Sequence, residues 1–332
     1  MHPFLLSCDW GSSSFRLKLA GFGNQEVIAE SHSTDGIISV HKRFAATGNG
    51  KPDNRHQVYL AIVKDHIDRL EMKTDLSLKG APLLISGMAG SSIGITELNY
   101  STLPFHLDGR SVTLGLIPSS ENFPWDVCLI SGVSADADVM RGEETQVIGL
   151  AARLPQVLNQ DAICVLPGTH SKHISIEGGK ITGFNTYMTG EIFDCISNYS
   201  LLNNAISAPP PGEKSDSEEK EGFFQGVEES SKGNLLDSLF TVRTNQLFNK
   251  LTKTANHYYL SGLLIGAELN ALKDSADRSI ILACGEKLNE LYRLGFEYKG
   301  LSSRTTCIDP VQVDNAVVAG HFKIFQSTGK IQ

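Results

Sequence analysis

Short apolar runs punctuated by glycine and serine open the chain. Residues 4–8 and 15–19 flank a Gly/Ser turn, and 27–29 follow a second turn at 21–24, which predicts three short strands joined by hairpins. Behind a polar stretch at 48–55, Val58, Ile62, Val63, His66 and Leu70 recur at helical spacing. Two apolar runs, 82–86 and 127–131, have the length and content of buried strands, and a helix is predicted over 139–154. The pattern then begins again. A buried strand at 162–166 leads through a Pro-Gly-Thr-His turn to 173–176, then a Gly-Gly turn, then Ile181. Helices are predicted at 190–199, 235–251 and 258–272, followed by a strand at 280–283, a helix to 294, a strand near 306 and a last helix over 311–325. The interval 204–222, rich in Pro, Ser and acidic residues, reads as a solvated polar insertion.

A meander followed by alternating helices and strands, repeated once, predicts two similar α/β domains, 1–150 and 151–332. A chain of 332 residues with 41% hydrophobic content also exceeds what a single core usually serves. A cleft between two domains is a natural place for a ligand.

Charge removes other classes. With 29 basic and 37 acidic residues the net charge is -8, so no global field favours nucleic acid or an anionic membrane, and phosphate has to be held locally. The six cysteines form no CxxC pair and several sit in apolar runs, which fits a reducing cytoplasm. The N-terminal stretch lacks the basic region of a signal peptide, and no segment has the uninterrupted apolar length of a membrane helix.

The first turn carries the first chemistry. A strand delivers Asp9, and Gly11, Ser12 and Ser13 follow at a tight turn, so backbone N–H groups and hydroxyls can surround phosphate oxygens while the carboxylate faces a magnesium ion. An ordinary Asp-Gly hairpin has the same turn chemistry, and what separates the two is the second half. There a buried strand ends in Gly168, Thr169 and His170, followed by Lys172 as a cation. His170 and His173 do not read as a metal pair, because alternate strand positions point them apart and no third ligand is in view; His173 reads as packing. Neither a Gly-x4-Gly-Lys-Ser/Thr loop nor a GxGxxG follows a strand; the nearest stretch, 48–52, ends in proline. Gly285, where an apolar strand ends, would let an adenine ring approach the backbone, though a plain strand-to-helix turn explains it equally.

The stretches Asp9 to Arg16, Ser86 to Ser91, Val139 to Gln146, Pro167 to Lys172, Met188 to Glu191, Leu239 to Arg243 and Leu260 to Glu268 together resemble, in order and across nearly the whole chain, the 2-dehydro-3-deoxygalactonokinase family. That family is a branch of the sugar kinase, heat-shock ATPase and actin clan. The resemblance implies two ribonuclease H-like (actin-like ATPase) domains with a cleft between them. It also implies transfer of the γ-phosphoryl of ATP, with Mg2+, to the 6-hydroxyl of 2-dehydro-3-deoxy-D-galactonate in galactonate catabolism. Three departures stand out: His173 where the family usually has an aromatic residue, Phe15 at a usually aliphatic place, and the long 204–222 interval.

On this resemblance Asp9 is the metal anchor, and Gly11, Ser12, Ser13, Gly168, Thr169, His170, Lys172 and Gly285 bind the nucleotide. The order of motifs in glucokinase-like relatives points to Asp138 as the base, with Glu143 the runner-up; the competing reading is that Asp138 caps the helix. An acid substrate calls for a bidentate arginine, for which Arg16, Arg141 and Arg243 are candidates beside structural ion pairing. Gly87, Met88, Gly90 and Ser91 form a loop suited to close approach of substrate, and Thr189 and Glu191 face its hydroxyls. A homodimer is left open. The rival readings are a kinase of the same fold for another sugar acid or a hexose, a hydrolase of the exopolyphosphatase kind within the clan, and a non-catalytic nucleotide sensor.

Overall fold

In a computed structural model, residues 2–46, 55–158, 160–210, 216–273 and 278–328 are described, so the stretch at 48–52 lies outside them. The chain divides into two compact units, Met1–Gln160 with Ile176–Gly183 and Val311–Gln332, and Asp161–Ser175 with Phe184–Pro310. The expected cut at 150 therefore differs from the observed division, which returns the C-terminal segment to the first unit.

In the first unit, β1 (Phe4–Trp10), β2 (Phe15–Gly21) and β3 (Val27–Ser33) form an antiparallel meander, as the turns predict. Helices α1 (Ile37–Ala46), absent from the sequence reading, and α2 (Arg55–Thr74) follow, then β4 (Leu83–Gly87), the two-residue strands β5 (Ser101–Thr102) and β6 (Phe105–His106), β7 (Leu114–Ile117) and β8 (Val127–Ile130). Strand β1 pairs parallel with β4, and β4 with β8, giving the order β3-β2-β1-β4-β8-β7. Alternation along β1 sends Leu6, Cys8 and Trp10 into a core with Tyr59, Val63 and Ile67 of α2. Ser7 and Asp9 point to the other face, where the hydroxyl of Ser7 meets Nδ1 of His321 at 2.7 Å.

The helix predicted over 139–154 begins later. Residues Val133–Ser134 and Val139–Met140 form the hairpin β9–β10, and α3 spans Glu143–Arg153, followed by α4 (Pro155–Leu158). Gly142, with φ at +108°, turns the chain between them, a conformation that a residue with a Cβ rarely adopts.

In the second unit the pattern repeats: β11 (Ala162–Leu166), β12 (Ser171–Glu177), β13 (Lys180–Tyr187), then α5 (Thr189–Tyr199), α6 (Ser217–Glu229), α7 (Leu235–Leu247), α8 (Lys253–Leu269), β14 (Ser279–Leu282), α9 (Glu286–Tyr298) and β15 (Thr305–Cys307). The order of its strands is β15-β14-β11-β12-β13, with β11, β14 and β15 mutually parallel, so the five reproduce the order of the first sheet. Ile163, Val165, Ile280 and Leu282 pack on Phe223, Val227, Ile265 and Phe296 of α6, α8 and α9.

The reading of 204–222 as a solvated loop needs correction. Residues 201–205 form a short 3-10 turn, and α6 starts at Ser217, capped by Asp216 and Glu219 in a reciprocal capping box. Gly222 and Gly226 of α6 meet α8 so closely that a Cβ on either would fall within 2.4 Å of a carbonyl oxygen of Ala255 or Tyr259. Charge in the first turn disguised a packed helix; residues 211–215 lie outside the described residues. Finally α10 (Pro310–Asp314) and α11 (Ala316–Thr328) close the chain, with α11 packed on α3. No helix among the described residues is long and apolar enough to cross a membrane.

Candidate active site

Asp9, the last residue but one of β1, pairs in register with Ser86 of β4, so both side chains leave the sheet on the same face. Burial pushes the Asp9 carboxyl above its ordinary range, while Arg16 and Lys18 pull it back. The Ser86 hydroxyl is fully buried and has no hydrogen-bond partner among the described residues. The turn beyond β1 is closed by Gly11 N donating to Ser14 O at 2.9 Å, and it seats on α1, where Ile37 N donates to Gly11 O at 3.0 Å and Ile38 N to Ser12 O at 3.2 Å. Gly36 permits this: a Cβ there would lie 2.3 Å from Ser12 O.

At the end of β4, Gly87 has φ at +86°, and a Cβ would fall 2.6 Å from Trp10 O and 3.4 Å from Oδ1 of Asp9. Met88 and Gly90 continue as a 3-10 turn, and the Ser91 hydroxyl folds back on Met88 O at 2.7 Å. Arg141 does not present an idle fork. Its guanidinium donates to Gly90 O at 2.7 Å and to Tyr100 OH at 3.1 Å, and stacks 4.0 Å from the Tyr100 ring centroid. The next residue, Gly142, lies so near that its Cβ would sit 3.4 Å from the Cα of Gly87.

Helix α3 begins there. Glu143 accepts from Arg141 N at 3.0 Å. Glu144, fully buried, accepts from Gly142 N at 2.7 Å and Thr145 Oγ1 at 2.8 Å, and burial together with the charge of Glu143 raises its pKa to about 7. Asp138 is half-buried in the β9–β10 hairpin and accepts from Val139 N at 2.7 Å. It therefore caps no helix. Asp9, the Gly87–Ser91 loop, Arg141, Gly142 and Glu143 thus gather past the carboxyl ends of parallel strands, where α/β sheets bind ligands. Arg16 sits apart from that loop, with Asp314 at 3.7 Å and both side chains more than half exposed. A surface cavity of about 570 Å³ in this unit, lined by residues including Arg110, Lys180 and Lys323, contains none of the predicted site residues.

In the second unit the turn after β11 docks on α5. Glu191 N donates to Thr169 O at 3.0 Å, His170 Nε2 meets the Glu191 carboxylate, and a Cβ on Gly190 would strike Gly168 O at 2.5 Å. Lys172 is buried and donates to Thr186 Oγ1 at 2.5 Å. Gly168 and Gly285 have no atom within 4 Å of a Cβ position, so both present open backbone at the carboxyl ends of β11 and β14. The two histidines lie in different settings: His170 is exposed in the turn before β12, and His173 is buried within β12 beside Glu268 at 3.0 Å. No group of three potential metal ligands occurs among the described residues. Arg243 lies on α7, bonded to Gln246 at 2.7 Å, and is not brought to the turn by any contact seen here.

Sequence reading missed Ser86, Tyr100, Glu144, Glu268 and Tyr292. Ser86 and Glu268 stand at the ends of family motifs, and Glu268 is also a carboxylate on the otherwise apolar run of α8, but their partners become visible only through register and folding, as does Tyr100.

The repeated five-strand order, with glycine- and hydroxyl-bearing turns at the carboxyl ends of β1 and β11, defines the actin-like ATPase fold of the sugar-kinase class. Residues 9–324 match the family model described as 2-keto-3-deoxy-galactonokinase. The chain is 31% identical over 325 residues to the probable 2-dehydro-3-deoxygalactonokinase of Rhizobium meliloti, covering 96% of this chain and 95% of the relative. It is 31% identical over 323 residues to the 2-dehydro-3-deoxygalactonokinase of Escherichia coli, at 95% coverage of each. The crystal structure of a candidate 2-dehydro-3-deoxygalactonokinase from Sinorhizobium meliloti superposes with a TM-score of 0.78 at 28% identity, covering 98% of this chain and 97% of that one. The chain belongs to the 2-keto-3-deoxy-galactonokinase family of phosphotransferases.

Proposed function

We propose that this chain transfers the γ-phosphoryl group of ATP to the 6-hydroxyl of 2-dehydro-3-deoxy-D-galactonate. The observation that carries the reading is the near full-length family match, with its motif residues standing at the carboxyl ends of β1, β4 and β11. In the transfer the hydroxyl loses its proton, its oxygen bonds to the γ-phosphorus, and the bond from that phosphorus to the β–γ bridging oxygen breaks to release ADP. Such transfer depends on positioning and charge neutralisation more than on covalent help.

Within the first unit, the turn of Gly11, Ser12 and Ser13 offers backbone and hydroxyl donors suited to phosphate oxygens, and within the second unit the turn of Gly168, Thr169 and His170 offers the same kind of donors. Lys172, buried and bonded to Thr186 Oγ1, is the cation that follows the second turn, and Gly285 offers open backbone to the base. Asp138, half-buried on a short hairpin, takes the proton of the hydroxyl; Glu143 is the alternative. In the first unit the loop of Gly87, Met88, Gly90 and Ser91 is suited to the acceptor, and in the second unit Thr189 and Glu191 are suited to sugar hydroxyls. Arg141 shapes that loop through Gly90, which leaves Arg16 and Arg243 as the arginines with freer heads for the carboxylate.

The acidic end of β1 suits magnesium. Asp9 is a carboxylate held above its ordinary range by burial, paired in register with Ser86, whose buried hydroxyl has no partner among the described residues, and these two residues would hold a hydrated cation. Bound there, the ion neutralises phosphate charge.

The test is a coupled ADP assay with magnesium-ATP and a panel of 2-keto-3-deoxy sugar acids and hexoses. The galactonate-derived acid should give the highest kcat/KM. ADP release without acceptor would make the protein a hydrolase, and nucleotide binding with no turnover on any acceptor would make it a sensor.

A further inference from the structure

We propose that Glu268 is a positioning residue that holds the Gly168–His170 turn and the start of α5 in one geometry from the buried side of the second unit. This rests on the reading of that turn as a phosphate holder. Glu268 is 2% exposed on α8 among apolar neighbours, where a carboxylate is costly unless fully satisfied. Three donors converge on it: His173 Nε2 at 3.0 Å on Oε1, and Thr189 Oγ1 at 2.5 Å and Tyr292 OH at 2.7 Å on Oε2.

The directions of these bonds follow from proton inventory. A carboxylate accepts only, so Tyr292 commits its single proton to Glu268. Burial, reinforced by the Glu268 charge, holds the Tyr292 hydroxyl well above its ordinary pKa, so that proton stays. At the next contact, 3.0 Å away, Ser171 must then be the donor to Tyr292. The Ser171 oxygen is left to accept, and Gly168 N points at it from 3.4 Å. A directed chain thus runs from the turn backbone through Ser171 and Tyr292 to Glu268. Chains of this kind polarise one another and favour a single arrangement.

The second arm reaches α5. Thr189 opens that helix, Gly190 lies against Gly168 O, and Glu191 N binds Thr169 O. Turn and helix start therefore share one anchor, and the negative charge sits near the positive end of the helix. A merely structural carboxylate would not be wired to both sides of a turn whose outer face is open.

The arms can be tested separately. In kinase assays, Glu268→Gln, which keeps the shape and removes the charge, should raise KM for magnesium-ATP about tenfold or more, with Glu268→Asp recovering part of the loss. Ser171→Ala, which cuts only the arm to Gly168, should raise the ATP KM while leaving the acceptor KM within about twofold. Amide hydrogen exchange of the peptide spanning 166–173, without ligand, should quicken in Glu268→Gln at an unchanged global melting midpoint. Unchanged exchange and unchanged ATP KM in a folded Glu268→Gln protein would overturn the proposal. A wild-type protein inactive on every acceptor would sink the kinase reading instead, and the exchange experiment would still decide the role of Glu268.

Discussion

The guanidinium of Arg141 donates to the carbonyl of Gly90 at 2.7 Å, so a residue that reads in the sequence as a carboxylate binder instead secures the loop after β4. The same side chain stacks on Tyr100 and reaches Leu98 O at 3.4 Å, a planar fork used on several partners at once. A lysine cannot reproduce that.

Arg141→Lys should therefore lower kcat/KM for the acceptor by roughly 10- to 100-fold, the cost of losing charged hydrogen bonds, with a smaller change in the ATP KM. Steady-state kinetics with each substrate varied in turn checks this; equal effects on both substrates would point to general loosening.

Asp138→Asn should keep substrate binding and lose most turnover, about 10²-fold or more. Near wild-type turnover in the coupled ADP assay would remove Asp138 as base, and a large loss in Glu143→Gln would move the role there.

Asp9→Asn should chiefly raise the magnesium concentration needed for half-maximal rate, about tenfold. Titrating Mg2+ at fixed ATP measures it. An unchanged requirement means that the metal is held elsewhere.

Glu144 provides a pH test of stability. Its folded pKa of about 7 stands above the ordinary 4.5, so its favourable contribution is complete below pH 4.5 and is lost as pH rises through 7. The full shift corresponds to roughly 3 kcal/mol. Glu144→Gln should raise the melting midpoint at pH 8 and change it little at pH 4.5. A difference that does not vary with pH would contradict the buried-carboxyl assignment.

Helix α3 and helix α11 meet at backbone distance: a Cβ on Gly149 would fall 1.7 Å from Ala316 O, and one on Gly320 would fall 2.1 Å from Thr145 O. On an isolated helix Gly→Ala is stabilising by about 1 kcal/mol. Here Gly149→Ala should destabilise by about 3 kcal/mol or more, because carbonyl and Cβ cannot interpenetrate. Urea denaturation of the variant decides the sign.

Period and turn chemistry were enough to predict the meanders, the buried strands 82–86, 127–131, 162–166 and 280–283, and most helices, since each is set by neighbours within a few residues. The Asp9 and Gly168 turns and the family motifs were legible for the same reason. Glycine at +108° between Met140 and Glu143 delayed the start of α3, and a charged capping box at Asp216 concealed α6, because local polarity and helix capping look alike in a linear pattern. The return of α11 to the first unit, the pairing of Ser86 with Asp9, the occupation of Arg141 by Gly90 and the convergence on Glu268 belong to tertiary structure alone. Each joins residues tens to hundreds of positions apart, and only packing at van der Waals distance chooses which buried polar groups find one another.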